Sequence, residues 1–429
     1  RGIGAVEKLR NDEICSQIFG LENGPPSPST IYRGLCDMAG LSERPFEEVY
    51  RQREASQPRL DLGGKERKDP RTRRIVPDEP EWAQKESREA FAKFIQSMAN
   101  RCAQNLSQSI MRMHGWSVVF GDGTDLEVEG ECFDAARLGK DGEKMLRLML
   151  LMLGPIVVSQ DILPGNVDEG RWLPQLIERS RETIKGVIGA KGKVLSLLDA
   201  AFFEKAVVDA LEGNNWDFII CANQQRDKLE SLAMTQPDYV WMESGADVAR
   251  GWSRSQIAVF THTPEDWSSP VTIVCGRWQN EDEIDGIWHY SFVATRLEPG
   301  DMPKKLMKKY GYGQAIWMLY STKQGRENHL KTILRDLGLH NPPSGRLGVN
   351  QAFYSLALAA SNIAMVLRYR VMPKEVRGMH LWKMRTFFFN ISGYIRYHAR
   401  TLCVYLAGGN IPVWMQNVWD RAFAEAGRL

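Results

Sequence analysis

No Cys-x-x-Cys pair occurs anywhere in this 429-residue sequence. Its seven cysteines (15, 36, 102, 132, 221, 275 and 403) are scattered and odd in number. That pattern argues against a zinc site and for reduced thiols in a cytosolic protein. Most of them are expected to serve as small core hydrophobes. No secretory signal opens the chain, which begins with a charged amphipathic pattern. Because residue 1 is arginine rather than methionine, the true start of the protein is expected further upstream. Apolar runs long enough to span a bilayer are also missing. Gly154-Pro155 interrupts 145–158, and Ser361 and Asn362 interrupt 352–367, so a membrane protein is not expected.

Acids are nearly absent from one long stretch. Residues 302–400 hold 17 lysines and arginines against three acids, Glu327, Asp336 and Glu375. The stretch carries +14 in a chain of net charge +2, leaving −12 for the remainder. Tyr310, Tyr312, Trp317, Tyr320, Tyr369, Trp382, Tyr394 and Tyr397 are interleaved with the bases. Solvated helix faces do not usually exclude acids so thoroughly, so this block suits a polyanion, and nucleic acid first of all. Apolar content of 43% and charged content of 25% are otherwise those of a soluble globular protein. The length predicts two or three domains.

What is present centres on residues 117–130, SVVFGDGTDLEVEG. Val118, Val119 and Phe120 form the apolar run of a buried strand, which the pattern ends at Asp122 between Gly121 and Gly123. Leu126 and Val128 then alternate with Glu127 and Glu129, the period of a half-buried strand. A carboxylate at the tip of a buried strand is a common way to hold a divalent cation. Asp-Gly is equally a strong hairpin-turn signal, and this stretch alone leaves both readings open.

Residues 1–110 show helical periods joined by polar loops. Examples are 11–19, a helix through Ile31, Leu35 and Met38 with N-cap chemistry at Ser27-Pro28-Ser29-Thr30, and a helical stretch over 81–113. A helix-turn-helix-like module and a plain helical bundle fit equally well. The run 60–80, with Lys65, Arg67, Lys68, Arg71, Arg73 and Arg74, reads as a loop that touches phosphates or is simply solvated. From Trp116 the pattern turns to strands. The runs 145–153 and 156–162 predict an antiparallel pair, 172–188 a helix, 193–198 a strand ending at Asp199, 200–211 a helix, and 216–221 a further strand. Three antiparallel strands followed by strand–helix–strand is the order of an α/β, ribonuclease H-like mixed sheet flanked by helices, here in two parts, 111–222 and 302–371.

Between these parts, 223–301 predicts an inserted β subdomain. Its strands at 248–257, 258–262, 271–278 and 287–295 are expected to form a separate antiparallel sheet crowded with Trp241, Trp252, Trp267, Trp278 and Trp288. Those tryptophans are expected mainly in the core, with Trp267 or Trp288 as the candidate to stack on an unpaired base. Lys304 to Lys309 leads into one helix predicted over 315–337 and ended by Gly338. Ile316, Tyr320, Lys323, Glu327, Leu330 and Leu334 share one face of it. Glu327 stands there among Lys323, Arg326 and Lys331 as the only acid between 302 and 335. A second apolar helix, 351–370, should pack against it, and the basic, aromatic region 372–429 includes 386–406, which suits a strand or a helix.

Asp122, Asp199 and Glu327 therefore stand out as three carboxylates on two strand tips and one helix. In a ribonuclease H-like sheet those tips are neighbours, and the three carboxyl groups are expected within about 10 Å of each other. Carboxylates so close repel one another unless a cation neutralises them. Two Mg²⁺ ions about 3.5–4 Å apart would do so and would also stabilise attacking and leaving oxygens in phosphodiester chemistry.

GDGTDLEVEG, LPGNVDEG, LLDAAFFEKAVVDAL and YSTKQGRENHLK resemble, in order, the motifs of bacterial insertion-sequence transposases with a DDE active site. The likeness spans about 6–406 and is closest to the branch with a β-strand insertion before the glutamate. The resemblance implies Asp122, Asp199 and Glu327 as catalytic metal ligands for Mg²⁺, with Mn²⁺ substituting. It implies Tyr320 and Lys323 as contacts to the transposon end. The helical region 1–110 and the basic stretch, with Arg326, Lys331, Lys304, Lys305, Lys308 and Lys309, would bind double-stranded DNA. The family's tyrosine-arginine-glutamate-lysine signature has arginine where Lys323 stands and lysine where Leu334 stands. Lys331, one turn after Glu327, could replace the latter, and Asp125 is the alternative to Asp122. The implied activity is cleavage at terminal inverted repeats and strand transfer by a dimeric complex in the bacterial cytoplasm. The rivals are an inactive DNA-binding relative and a structure-selective nuclease.

Overall fold

The computed structural model describes residues 26–39, 81–128, 133, 135–139, 142–189, 191–222, 228–244, 251–283, 287–388, 393–398, 401–406, 417–418 and 420. The expected helix at 11–19 and the basic run at 60–80 lie outside the described residues. Two N-terminal helices are described. In α1 (Pro28–Met38) the Ser27 hydroxyl accepts from the Thr30 amide at 3.1 Å, the N-cap that the sequence predicts. The helical period from 81 gives α2 (Glu81–Gln104).

Leucine-, valine- and isoleucine-rich runs build the centre. β1 (Trp116–Glu127), β2 (Lys144–Leu153) and β3 (Ile156–Pro164) pair antiparallel in sequence. Gly154 turns between the last two at φ 56°, a conformation that favours glycine. Next come α3 (Glu169–Ile188), β4 (Lys193–Leu198), α4 (Lys205–Gly213) and β5 (Asp217–Cys221), with β4 parallel to both β1 and β5. The resulting order, β3-β2-β1-β4-β5, is the ribonuclease H-like core expected from the strand pattern.

The insertion contributes β6 (Trp252–His262), β7 (Val271–Asn280) and β8 (His289–Thr295), all antiparallel. They do not form a separate sheet. β8 pairs with β5 through Val293 with Cys221, Ala294 with Ile220 and Thr295 with Ile219, so the core sheet continues across β8, β7 and β6. Without β8, the outer edge of β5 would leave backbone donors and acceptors unpaired in an apolar setting. The strands predicted at 248–257 and 258–262 are one, because no turn residue separates Ile257 from Ala258. Trp267 is buried and packs on Phe203 with ring centroids 5.0 Å apart, which removes it as a base-stacking candidate. Trp288 is half-buried, with the Arg277 guanidinium 4.3 Å from its ring.

The helix predicted over 315–337 is also divided. After α5 (Lys304–Tyr310), α6 (Tyr312–Ser321) and α7 (Lys323–Leu337) meet at Thr322. There the Thr322 hydroxyl donates to the Leu319 carbonyl at 2.7 Å and the Ser321 hydroxyl to the Trp317 carbonyl at 2.8 Å. Hydroxyls that compete for backbone acceptors in this way bend or interrupt helices. Gly338, at φ 67°, ends α7 as predicted.

α8 (Leu347–Arg370) packs against α2 and β3. By length and composition it could cross a membrane, and half of its most apolar window is buried inside the fold. Its polar residues close the β3 edge. The Asn362 amide both donates to the Val157 carbonyl and accepts from the Val157 amide, each at 2.9 Å, and the Gln351 carbonyl oxygen accepts from the Ile162 amide at 2.9 Å. The helix-or-strand ambiguity at 386–406 resolves as both. α9 (Leu381–Phe388) is followed by the hairpin β9 (Gly393–His398) and β10 (Thr401–Leu406).

Each face of the sheet has its own core. On one, Val119 and Leu198 pack with Leu173 and Leu176 of α3. On the other, Phe120, Leu195 and Leu197 pack with Ile316 and Leu319 of α6 and with Leu330, Ile333 and Leu334 of α7.

Candidate active site

Asp122 lies inside a strand, not at its end. β1 runs without interruption through Gly121-Asp122-Gly123, and Asp122 pairs with Leu150 of β2. This excludes the hairpin-turn reading and corrects the expected strand break. The flanking glycines have another purpose. A Cβ on Gly121 would stand 2.9 Å from Leu198 Cδ2 and 3.1 Å from Leu173 Cδ1, and one on Gly123 would stand 2.7 Å from the Glu169 carboxyl carbon. Both glycines let α3 lie close to β1 on the face opposite Asp122.

What ends near Asp122 is its neighbour. β4 pairs in parallel with β1 up to Phe120 opposite Leu197. Two residues further along each chain, past the last recorded pair, stand Asp122 and Asp199. Side chains alternate across a strand, so both carboxylates point to the face of Phe120 and Leu197, where α7 packs. Asp122, Asp199, Leu330, Lys331, Leu334 and His340 line one cavity of about 410 Å³. Sequence reading missed His340, which no motif singles out and which enters only because the chain turns back after α7.

Asp125 also reaches the cavity rim, but its carboxylate is committed elsewhere. It accepts from Arg147 Nε at 2.7 Å and pairs with Nη2 at 2.6 Å. Arg147 is buried, pairs with Glu169 at 3.1 Å and donates to the Val167 carbonyl at 3.1 Å. Asp125 is odd-numbered like Val119 and so belongs to the α3 face of the sheet.

Glu327 belongs to α7, one turn after Lys323 and one turn before Leu330 and Lys331, which line the cavity. Its side chain, like that of Arg326, lies outside the described residues, as does the expected separation of all three carboxyl groups. Among the described residues no group of three or more His, Cys, Asp or Glu side chains forms a metal cage.

Lys323 is placed differently from a surface DNA contact. It is 3% exposed, and its Nζ lies 2.7 Å from Asp199 Oδ2. Tyr320 is half-buried beside Cys221, which ends β5 next to Asp199. Burial pushes the Cys221 thiol up, the Tyr320 hydroxyl bond and Lys323 oppose the rise, and Asp199 adds to it. Lys331 is exposed at the cavity, and Lys304, Lys305, Lys308 and Lys309 are exposed on α5.

A model of the family described as transposase DDE domain, group 1, matches residues 157–418, more than half of the chain. The chain belongs to this transposase family. The matched stretch contains Asp199 and Glu327 and begins after Asp122. No curated protein matches the transposase. Among solved structures it is similar to a piggyBac transposase synaptic complex with hairpin DNA, at 12% identity and TM-score 0.37, over 84% of this chain and 71% of that one. It is also similar to a Mos1 transposase paired-end complex with the left transposon end, at 19% identity and TM-score 0.19, over 47% of this chain and 64% of that one. Likenesses this remote carry no residue roles across.

Proposed function

We propose that this transposase binds the inverted repeats at the ends of an insertion sequence, cleaves the DNA there, and joins the freed 3′-hydroxyls to target DNA. The observation that carries this reading is that Asp122 and Asp199 line one cavity whose other wall is α7, the helix that carries Glu327 in its sequence. The donor set fits a hard divalent cation, since carboxylate oxygens suit Mg²⁺ and Mn²⁺. Asp199 already takes a cation from the protein, the Lys323 ammonium. When bound, two such ions would stabilise the charge on the attacking and leaving oxygens.

The remaining work falls to the chain's own groups. Strand pairing on the β2 side and the close approach of α3 behind it fix the backbone that presents Asp122 to the cavity. Lys331 at the cavity, with Arg326 and the four α5 lysines, would neutralise phosphates and set the register of the duplex. Leu330 and Leu334 form an apolar wall that limits water beside the scissile bond. Synapsis of two ends calls for at least a dimer.

The test is single replacement of Asp122, Asp199 or Glu327 by alanine, followed by cleavage of a duplex carrying the repeats that flank the gene, in Mg²⁺ or Mn²⁺. Each variant should lose cleavage and strand transfer while still binding ends. A wild-type protein that binds ends and never cuts them would favour the inactive-relative reading instead.

A further inference from the structure

A lysine buried at a helix start needs an explanation. Lys323 is the first residue of α7 and is almost wholly buried. Burying an ammonium is costly unless a charged partner compensates it. Asp199 is such a partner, at 2.7 Å, and the two side chains are unequally covered: Lys323 is 4% exposed and Asp199 41%. The carboxylate therefore faces protein cation on one side and solvent on the other. An ion arriving from the cavity meets Asp199 already neutralised from behind.

We propose that Lys323 is an internal counter-ion for Asp199 that competes with divalent cations for this carboxylate and yields it when a DNA phosphate offers the ammonium another partner. This inference rests on the reading of Asp199 as a metal ligand. It gives Lys323 two alternative partners and so couples metal loading to DNA engagement. Without DNA, the ion pair lowers the negative charge available to a metal ion and holds α7 against the tip of β4. With a transposon end in the cavity, the flexible four-carbon stem lets the ammonium turn to a phosphate while the backbone of α7 stays in place. Asp199 then regains its full charge, and its affinity for a divalent ion rises. Lys323 is thus a positioning residue, acting on the reaction through Asp199.

The experiment measures metal binding without relying on turnover. Mn²⁺ is titrated into the full chain without DNA, and free Mn²⁺ is read by its electron paramagnetic resonance signal. The proteins are wild type, Lys323→Met, Lys323→Gln, Lys323→Arg, Asp199→Asn and the Lys323→Met/Asp199→Asn double variant. Circular dichroism confirms folding, and Lys323→Gln supplies a second neutral variant if the methionine is not tolerated. Loss of one charge-assisted hydrogen bond should tighten Mn²⁺ binding about tenfold in the neutral variants. Lys323→Arg should bind no more tightly than wild type, and the double variant should show no gain over Asp199→Asn.

Adding an end-containing duplex should tighten Mn²⁺ binding to wild type and leave Lys323→Met unchanged. A folded neutral variant with wild-type or weaker affinity overturns the proposal, as does an equal gain from DNA in both proteins. The two readings fail separately. If Asp199→Asn abolishes cleavage but the neutral Lys323 variants show no affinity change, only the counter-ion falls. If Asp199→Asn cleaves normally, the catalytic reading of Asp199 falls first.

Discussion

Asp122 and Asp125 stand three residues apart on one strand and should fail in opposite ways when replaced. Asp125 takes two contacts from Arg147, at 2.7 and 2.6 Å, and a charge-assisted hydrogen bond contributes about 1.5–3 kcal/mol. Two considerations reduce the sum. The Asp125 side chain is 40% exposed, so solvent screens the pair, and Arg147 would keep Glu169 and the Val167 carbonyl. Asp125→Ala should therefore cost about 2 kcal/mol, well short of the roughly 3–5 kcal/mol for orphaning a fully buried charge. Asp122→Ala trims a half-buried carboxylate at the cavity and opens no void in the core, so its stability change should stay within about 1 kcal/mol. Activity should follow the reverse order. Urea unfolding midpoints and end-cleavage rates, measured on the same preparations, give both axes. Asp125→Ala should unfold earlier and still cut; Asp122→Ala should unfold normally and not cut. A folded, inactive Asp125→Ala beside an active Asp122→Ala would refute the assignment by sheet face.

Three further outcomes are expected. Gly123→Ala would place a methyl group against the Glu169 carboxyl, the end of a flexible side chain, and should cost about 1 kcal/mol as that carboxyl turns aside from Arg147; a loss above about 3 kcal/mol in denaturant unfolding would show that Glu169 cannot move. Replacing Lys304, Lys305, Lys308 and Lys309 together by glutamate should weaken DNA binding without unfolding and flatten its salt dependence, by about 0.9 in log–log slope for each phosphate no longer neutralised; unchanged affinity would move the DNA path off α5. Asp161 is fully buried, accepts from Arg179 at 2.9 Å and Trp172 at 3.1 Å, and has its carboxyl pushed up by burial against the pull of Arg179 and Arg88. Asp161→Ala should destabilise by about 3 kcal/mol in denaturant unfolding, and a change below about 0.5 kcal/mol would show that the network adds nothing.

The fold was legible where the local pattern and the tertiary environment agree. Met145–Val158 broken by Gly154-Pro155 becomes the β2–β3 hairpin because glycine can take φ 56° at the turn. Gly338 ends α7 for the same reason at φ 67°. Legibility failed where a neighbour decides. The continuity of β5 with β8 depends on a backbone edge whose partner comes some 70 residues later, and strand periodicity carries no information about which edge it meets. The division at Thr322 turns on hydroxyls bonding to carbonyls three and four residues back, a local signal that the apolar period of the two helices hides.

The site shows the same boundary more sharply. Residue types and order were enough to single out Asp122, Asp199 and Glu327, because a carboxylate beside a buried strand, or alone in a basic helix, is visible in the chain. The strand does not stop at Asp122, however, so the physical reason for its exposure at the cavity differs from a strand end. β1 continues for five residues past Asp122, to Glu127, and it is the parallel pairing with β4 that is last made at Phe120 and Leu197. A carboxylate needs an uncovered flank to meet a metal ion and a phosphate, and the end of a neighbouring strand provides one without ending its own. This also separates Asp122 from Asp125. Both follow a glycine-broken stretch, but an even and an odd position on one strand look to opposite faces, one over α7 and the cavity, the other toward Arg147 and α3. Lys323 marks the remaining gap. Its spacing from Tyr320 and Glu327 is legible, whereas its burial against Asp199 depends on where β4 stops and α7 begins, a coincidence of two chain segments more than a hundred residues apart.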